Sequence, residues 1–320
     1  MTAFPRASAT SAVSTLSALA PFVGFFSITL LVAPSAFALP LPNATERAAA
    51  KTVPTLEEIT ESGVDFTAIV ALDNCSGSLV RFVNSKPTDK ALVLTNGHCY
   101  EGGFLKPGEA IADKSSSRSF RLLNASGGKL ASLRAEKVVY ATMTGTDMTL
   151  YRLNTTFAAI KSANGVDALT LSDAHPEDGT QIRVVSGYWR KIYACGISKF
   201  VHELREGDWT FTDSIKYSQP GCNTIGGTSG SPIINADTHE VVGINNTGNE
   251  SGKRCTENNP CEVDPSGTVT VEKGASYGQE TYQIYACLNE SNALDLNKQG
   301  CTLTKPGASH RLNLVSTEEN

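Results

Sequence analysis

From Phe66 onward the chain alternates short apolar runs with polar, glycine-bearing breaks. Such runs lie in "FTAIVALDNCSGSLVRFV", "KALVLTNGHC", "SLRAEKVVYAT", "MTLYRLN", "TQIRVVSGYW", "GSPIIN" and "EVVGINN". Runs this short, rich in Val, Ile, Leu and Thr and bounded by turn residues, predict strands. Many of them at even spacing predict barrels or a sandwich. Helical patterning is confined to "NATERAAAK" and "TLEEITE", both ahead of the strand region. The polar "PEDGT" at 176–180 separates two groups of strands. It predicts a divide between an N-terminal half, 64–175, and a C-terminal half, 176–320.

Residues 1–38 read as a signal peptide. Arg6 is their only charge, an apolar stretch runs from about Ala18 to Ala33, and small residues stand at Ala36 and Ala38. That order predicts cleavage after Ala38. Residues 39–63 are polar with three prolines, which fits a propeptide or a plain N-terminal arm. No second apolar run of spanning length follows. The mature chain is therefore expected off the membrane, secreted to the extracellular space or the periplasm.

Net charge and cysteine content narrow the class. The 320 residues carry a net charge of -5, which gives no basic field for nucleic acid. Eight cysteines (Cys75, Cys99, Cys195, Cys222, Cys255, Cys261, Cys287, Cys301) form no CxxC pair. An even number behind an export signal predicts disulfides, not a zinc site.

The stretch "GCNTIGGTSGSPIIN", 221–235, sets Ser229 in a glycine-rich turn. A serine hydroxyl becomes a nucleophile only when a base takes its proton, and histidine suits that task near neutral pH. Of the five histidines, His98 ends the apolar run "ALVLTNGHCY" beside Cys99, whereas His175, His202, His239 and His310 sit in polar sequence. Those four read as solvated side chains. Asp147 is a single acid opening the apolar run "MTLYRL", placed to orient an imidazole.

Together, "LTNGHC", "TDMTLYRL" and "GTSGSP", in that order, resemble the chymotrypsin-like (trypsin-like) serine peptidases of the secreted bacterial type. The resemblance covers about Phe66 to Tyr285. It implies an all-β fold of two six-stranded antiparallel β-barrels with the active site between them. It also implies a serine endopeptidase working through an acyl-enzyme, with Ser229 as nucleophile, His98 as general base and Asp147 as orienting acid. The backbone N–H groups of Gly227 and Ser229 would form the oxyanion hole. Protein or peptide substrates, a monomer, and no metal or organic cofactor follow from the same likeness. It pairs Cys75 with Cys99 beside the histidine and allows Cys195–Cys222 in the second barrel. Cys255–Cys261 and Cys287–Cys301 are then the simplest pairs for the rest, with connectivity open.

The chain departs from the digestive enzymes at Thr228, where they carry an aspartate that pairs with the activated N-terminus. Ordering by an inserted N-terminus is therefore not expected. The base of the primary pocket falls at Asn223, followed by Thr224. With no carboxylate there, a neutral or acidic substrate residue is favoured over Lys or Arg. Thr224 matches a hydroxyl residue of glutamyl-selective relatives, while Asn245 stands in place of their pocket histidine. Asn246 and Gly248 are expected on the rim, on a strand that hydrogen-bonds an extended substrate. Two other readings compete: a catalytically inactive homologue acting as a secreted binding protein, and an unrelated disulfide-stapled, lectin-like β protein.

Overall fold

A computed structural model describes residues 63–307. The signal segment, the arm up to residue 62, both helix-prone stretches, His310 and the tail "STEEN" lie outside them. The described residues fall in one compact unit, 51–320.

Eight strands form the first sheet: β1 (Ile69–Ala71), β2 (Ser76–Arg81), β3 (Lys90–Thr95), β4 (Ala110–Ser115), β5 (Ser119–Leu123), β6 (Lys129–Thr142), β7 (Met148–Thr156) and β8 (Leu169–Thr170). Pairing runs β1–β5–β6–β7–β3–β2 and returns from β2 to β1, closing an antiparallel barrel of six strands. The second sheet holds β9 (Gln181–Ser186), β10 (Lys191–Glu206), β11 (Trp209–Tyr217), β12 (Pro232–Asn235), β13 (Val241–Gly248), β14 (Cys261–Val263), β15 (Val269–Thr270) and β16 (Ser276–Glu280). Its ring is β10–β11–β16–β13–β12–β9, closed by β9 pairing with β10. The chain passes from one sheet to the other between Thr170 and Gln181.

Period-two patterning explains how the barrels fill. Along β3, Ala91 and Val93 enter a cluster with Leu79, Phe120, Val138 and Tyr151. Leu92 and Leu94 join a second cluster with Val185, Ile234 and Ile244 of the other barrel. The apolar run "ALVL" is thus buried on both faces, one inside its barrel and one between the barrels. Ile182, Val184, Ile197, Tyr217 and Ile233 fill the second barrel.

Three features differ from the sequence expectation. Each barrel carries two strands beyond its ring, and β8 pairs with β2 in parallel. A short helix, α1 (Phe157–Asn164), follows β7. Its start is fixed by Thr156, whose side chain accepts the Ala159 N–H, and its end by Gly165 at φ 71°. Only Ile160 of α1 is buried, so eight residues leave no readable period. Third, the segment after β16 leaves the second barrel and returns to the first. Leu288 and Leu303 join the inter-barrel cluster, and the Tyr140 hydroxyl donates to the Thr304 carbonyl at 2.9 Å.

Four disulfides join Cys75 to Cys99, Cys195 to Cys222, Cys255 to Cys261 and Cys287 to Cys301. A set of four belongs to a protein that folds outside the reducing cytoplasm. Among the described residues no helix is long and apolar enough to cross a membrane.

Candidate active site

The barrels meet at a cleft of about 430 Å³. His98, Phe104, Met143 and Asp147 line it from the first barrel, and Glu206, Ser229 and the β13 segment from the second.

β3 delivers Asn96, Gly97 and His98 to this cleft, and the start of β7 delivers Asp147. The Asp147 carboxylate, 1 % exposed, takes the His98 backbone N–H on Oδ1 at 2.9 Å and meets His98 Nδ1 with Oδ2 at 2.6 Å. This approach requires a glycine at 97. A Cβ there would overlap the Thr142 carbonyl and crowd the Asp147 carboxylate. With Nδ1 committed to an acid, Nε2 is left to accept a proton. Burial opposes charging of the imidazole, but the Asp147 carboxylate and its hydrogen bond, with a smaller contribution from Glu206, raise its pKa overall.

Asn96 adds a link that sequence reasoning missed. Fully buried, its carboxamide donates to the Asp147 carbonyl at 2.8 Å and accepts the Gly230 N–H at 2.5 Å. One side chain thus joins the acid's loop to the residue after Ser229. Its only sequence signal was a polar residue closing an apolar strand. The Ser76 N–H reinforces the join by donating to the Ser229 carbonyl at 2.8 Å. Ser76 follows Cys75, whose bond to Cys99 anchors the His98 loop.

Ser229 lines the cleft, and its hydroxyl donates to the Asn246 carbonyl at 3.3 Å. No hydrogen bond joins it to His98 among the described residues. The turn before it holds Gly227 at φ 87°, a left-handed conformation, and a Cβ there would press on the Tyr188 ring. Neither the Gly227 nor the Ser229 N–H has an acceptor among the described residues.

Thr228 is held by neutral groups. Its hydroxyl donates to the Ile225 carbonyl at 2.5 Å and accepts from Asn245 Nδ2 at 3.2 Å. Asn245 Oδ1 in turn accepts from the Tyr217 hydroxyl at 3.0 Å. This buried chain of hydrogen bonds ties the serine loop to β13 and β11.

The positions expected to shape the pocket, Asn223, Thr224, Asn245, Asn246 and Gly248, all line the cleft. Asn246 Nδ2 is buried and has no partner among the described residues. The cleft also holds an acid that the sequence concealed. Glu206 stands at the end of β10 in "HELREGD", a charged run that reads as a solvated hairpin. It is 9 % exposed and accepts the Asn258 N–H at 2.7 Å. Burial, offset in part by hydrogen bonds, raises its pKa. Of the other described histidines, His175, His202 and His239 are all exposed. His175 is not a simply solvated side chain: it packs against Phe200 and Tyr282 and faces two carboxylates.

Two closed antiparallel barrels flanking a cleft with this His, Asp and Ser arrangement define a chymotrypsin-like fold of the serine-protease class. The chain belongs to the trypsin-like peptidase family: the profile described as "Trypsin-like peptidase domain" matches residues 75–244, more than half of the sequence. No curated protein matches it. Among solved structures it is similar to the MamO protease domain from Magnetospirillum magneticum, at 17 % identity and a TM-score of 0.43, covering 70 % of this chain and 97 % of that one. It is also similar to the active form of the Rv3671c protease from M. tuberculosis, at 13 % identity and a TM-score of 0.44, covering 85 % and 100 %. Thermobifida fusca Protease A is similar at 15 % identity and a TM-score of 0.37, covering 68 % and 90 %.

Proposed function

We propose that this protein is a secreted serine endopeptidase acting through an acyl-enzyme. His98 takes the Ser229 proton as Ser229 attacks a peptide carbonyl, then returns it to the leaving amine. Asp147 holds the imidazole in its tautomer and stabilises the charged form. The N–H groups of Gly227 and Ser229, which have no acceptor among the described residues, receive the developing oxyanion. A single observation carries this reading: the doubly held His98–Asp147 pair and Ser229 open onto one cleft. An extended substrate pairing with β13 takes the Asn246 carbonyl, which releases the serine hydroxyl toward the imidazole. Loose nucleophile–base geometry before substrate binds is usual in such sites.

The primary pocket is proposed to take a neutral or acidic side chain in preference to Lys or Arg. Asn223, Thr224 and Asn245 offer amide and hydroxyl groups, and the unpartnered Asn246 donor calls for a carbonyl or carboxylate acceptor. The substrates are proteins or peptides, and the working unit is a monomer. Catalysis by these groups draws on no metal or organic cofactor.

Cleavage of a peptide library by the purified protein, alongside Ser229→Ala, tests both proposals. The variant is expected to lose roughly 10⁶-fold in turnover with its fold intact. Equal cleavage by the two proteins would refute the assignment. Absence of cleavage by both, with no fluorophosphonate label on Ser229, would favour the inactive, binding homologue.

A further inference from the structure

Away from the cleft, three residues distant in sequence converge on one point. His175 comes from the inter-barrel linker, Asp213 from β11 and Glu280 from the end of β16. The pairing of Ile215 with Gly278 and of Lys216 with Tyr277, continued along the strands, sets Asp213 opposite Glu280. Like charges facing across a strand pair are destabilising. An imidazole joins the pair: His175 Nε2 lies 3.4 Å from Asp213 Oδ2 and 3.1 Å from Glu280 Oε1.

Two further observations point to a ligand. The Glu280 side chain is fully buried, and its Oε1, aimed at the other two groups, accepts no hydrogen bond among the described residues. His175 Nδ1 lies 2.5 Å from the Pro176 carbonyl. A carbonyl only accepts, so Nδ1 is the donor there, and the ring is held with Nε2 toward the two carboxylates. A backbone carbonyl behind the imidazole is the usual support of a metal-bound histidine.

We infer that His175, Asp213 and Glu280 form a divalent transition-metal site, best matched to Zn²⁺, which pins the inter-barrel linker to the second barrel. Donors about 2.0–2.2 Å from a tetrahedral ion stand roughly 3.4 Å from one another; the imidazole–Asp213 distance of 3.4 Å matches that value and the imidazole–Glu280 distance of 3.1 Å falls a little short of it. One nitrogen and two carboxylates suit zinc; Ca²⁺ asks for six to eight oxygens. The side chains of His175 and Asp213 are 38 % and 40 % exposed, so an ion has a path in and water can complete its shell. The residues lie too far apart in sequence to form a ligand motif, so only the fold assembles them. The site is independent of the proposed peptidase activity.

The test uses the disulfide-intact, chelator-stripped protein titrated with ZnCl₂ by calorimetry, with bound metal counted by elemental analysis. One equivalent of Zn²⁺ is expected to bind and raise the melting temperature, whereas CaCl₂ gives no comparable shift. Glu280→Gln, nearly isosteric, and the exposed Asp213→Asn should each remove the shift while circular dichroism shows the fold retained. His98→Ala should keep it. Absence of stoichiometric zinc, stabilisation by calcium alone, or loss of binding in His98→Ala would overturn the assignment.

Discussion

Asp147 grips His98 at two points, taking its backbone N–H on one carboxylate oxygen and its ring Nδ1 on the other. The first contact fixes the loop and the second fixes the ring. An amide in place of the carboxylate keeps the shape but turns a donor or the wrong tautomer toward the imidazole. Asp147→Asn is therefore expected to lower turnover by roughly 10⁴-fold with little change in fold. Steady-state kinetics on a cleaved library peptide, with circular dichroism, measures both.

The same grip sets the pH profile. As the proposed base His98 must be neutral, and the Asp147 interactions raise its pKa above the ordinary imidazole value. Activity is therefore expected to be low in acid and to rise through a midpoint displaced upward from about 6.5, the unperturbed histidine pKa. Glu206 adds a smaller push in the same direction. Removing its charge in Glu206→Gln makes the imidazolium less favourable, so the acid limb of kcat/KM should move to lower pH. Unchanged limbs in the wild type and this variant, both at the unperturbed position, would contradict the coupling.

Asn96 touches no reacting atom, yet it ties the Asp147 loop to the backbone beside Ser229. Its truncation to alanine leaves a buried carbonyl and a buried N–H without that partner. Asn96→Ala should lower kcat by roughly 100-fold, because small displacements of catalytic groups are that costly. KM should change little. A loss confined to thermal stability, with kcat intact, would assign Asn96 a purely structural role.

The Cys287–Cys301 bond closes a short loop at the base of the segment that crosses back to the first barrel. Replacing both cysteines by serine should cost about 3 kcal/mol, the loop-entropy value for a closure of about 15 residues. Denaturant unfolding gives that figure, and limited proteolysis should show earlier cutting after residue 287. The cleft lies elsewhere, so kcat measured below the transition should hold.

Much of the fold was legible because strands announce themselves locally. "KALVLT", "MTLYRLN" and "TQIRVVS" each became a strand near its expected limits, since β-branched and aliphatic runs between turns have few other uses. Helix α1 was not legible, because one buried residue in eight leaves no period. The parallel pairing of β8 also escaped notice: a strand of two residues carries no pattern, and its partner is chosen by the linker's path. His98, Asp147 and Ser229 stood out because each sits where an apolar strand meets a polar turn.

What the sequence determined by itself was many of the strands, the candidate site residues and their order along the chain, because these depend on neighbours in sequence. What only tertiary structure decided was proximity: Asn96 reaching from Asp147 to Gly230, Glu206 entering the cleft, the C-terminal segment crossing to the first barrel, and His175 meeting Asp213 and Glu280. Barrel closure sets those distances. It joins residues far apart in sequence whose local surroundings gave no sign that they would touch.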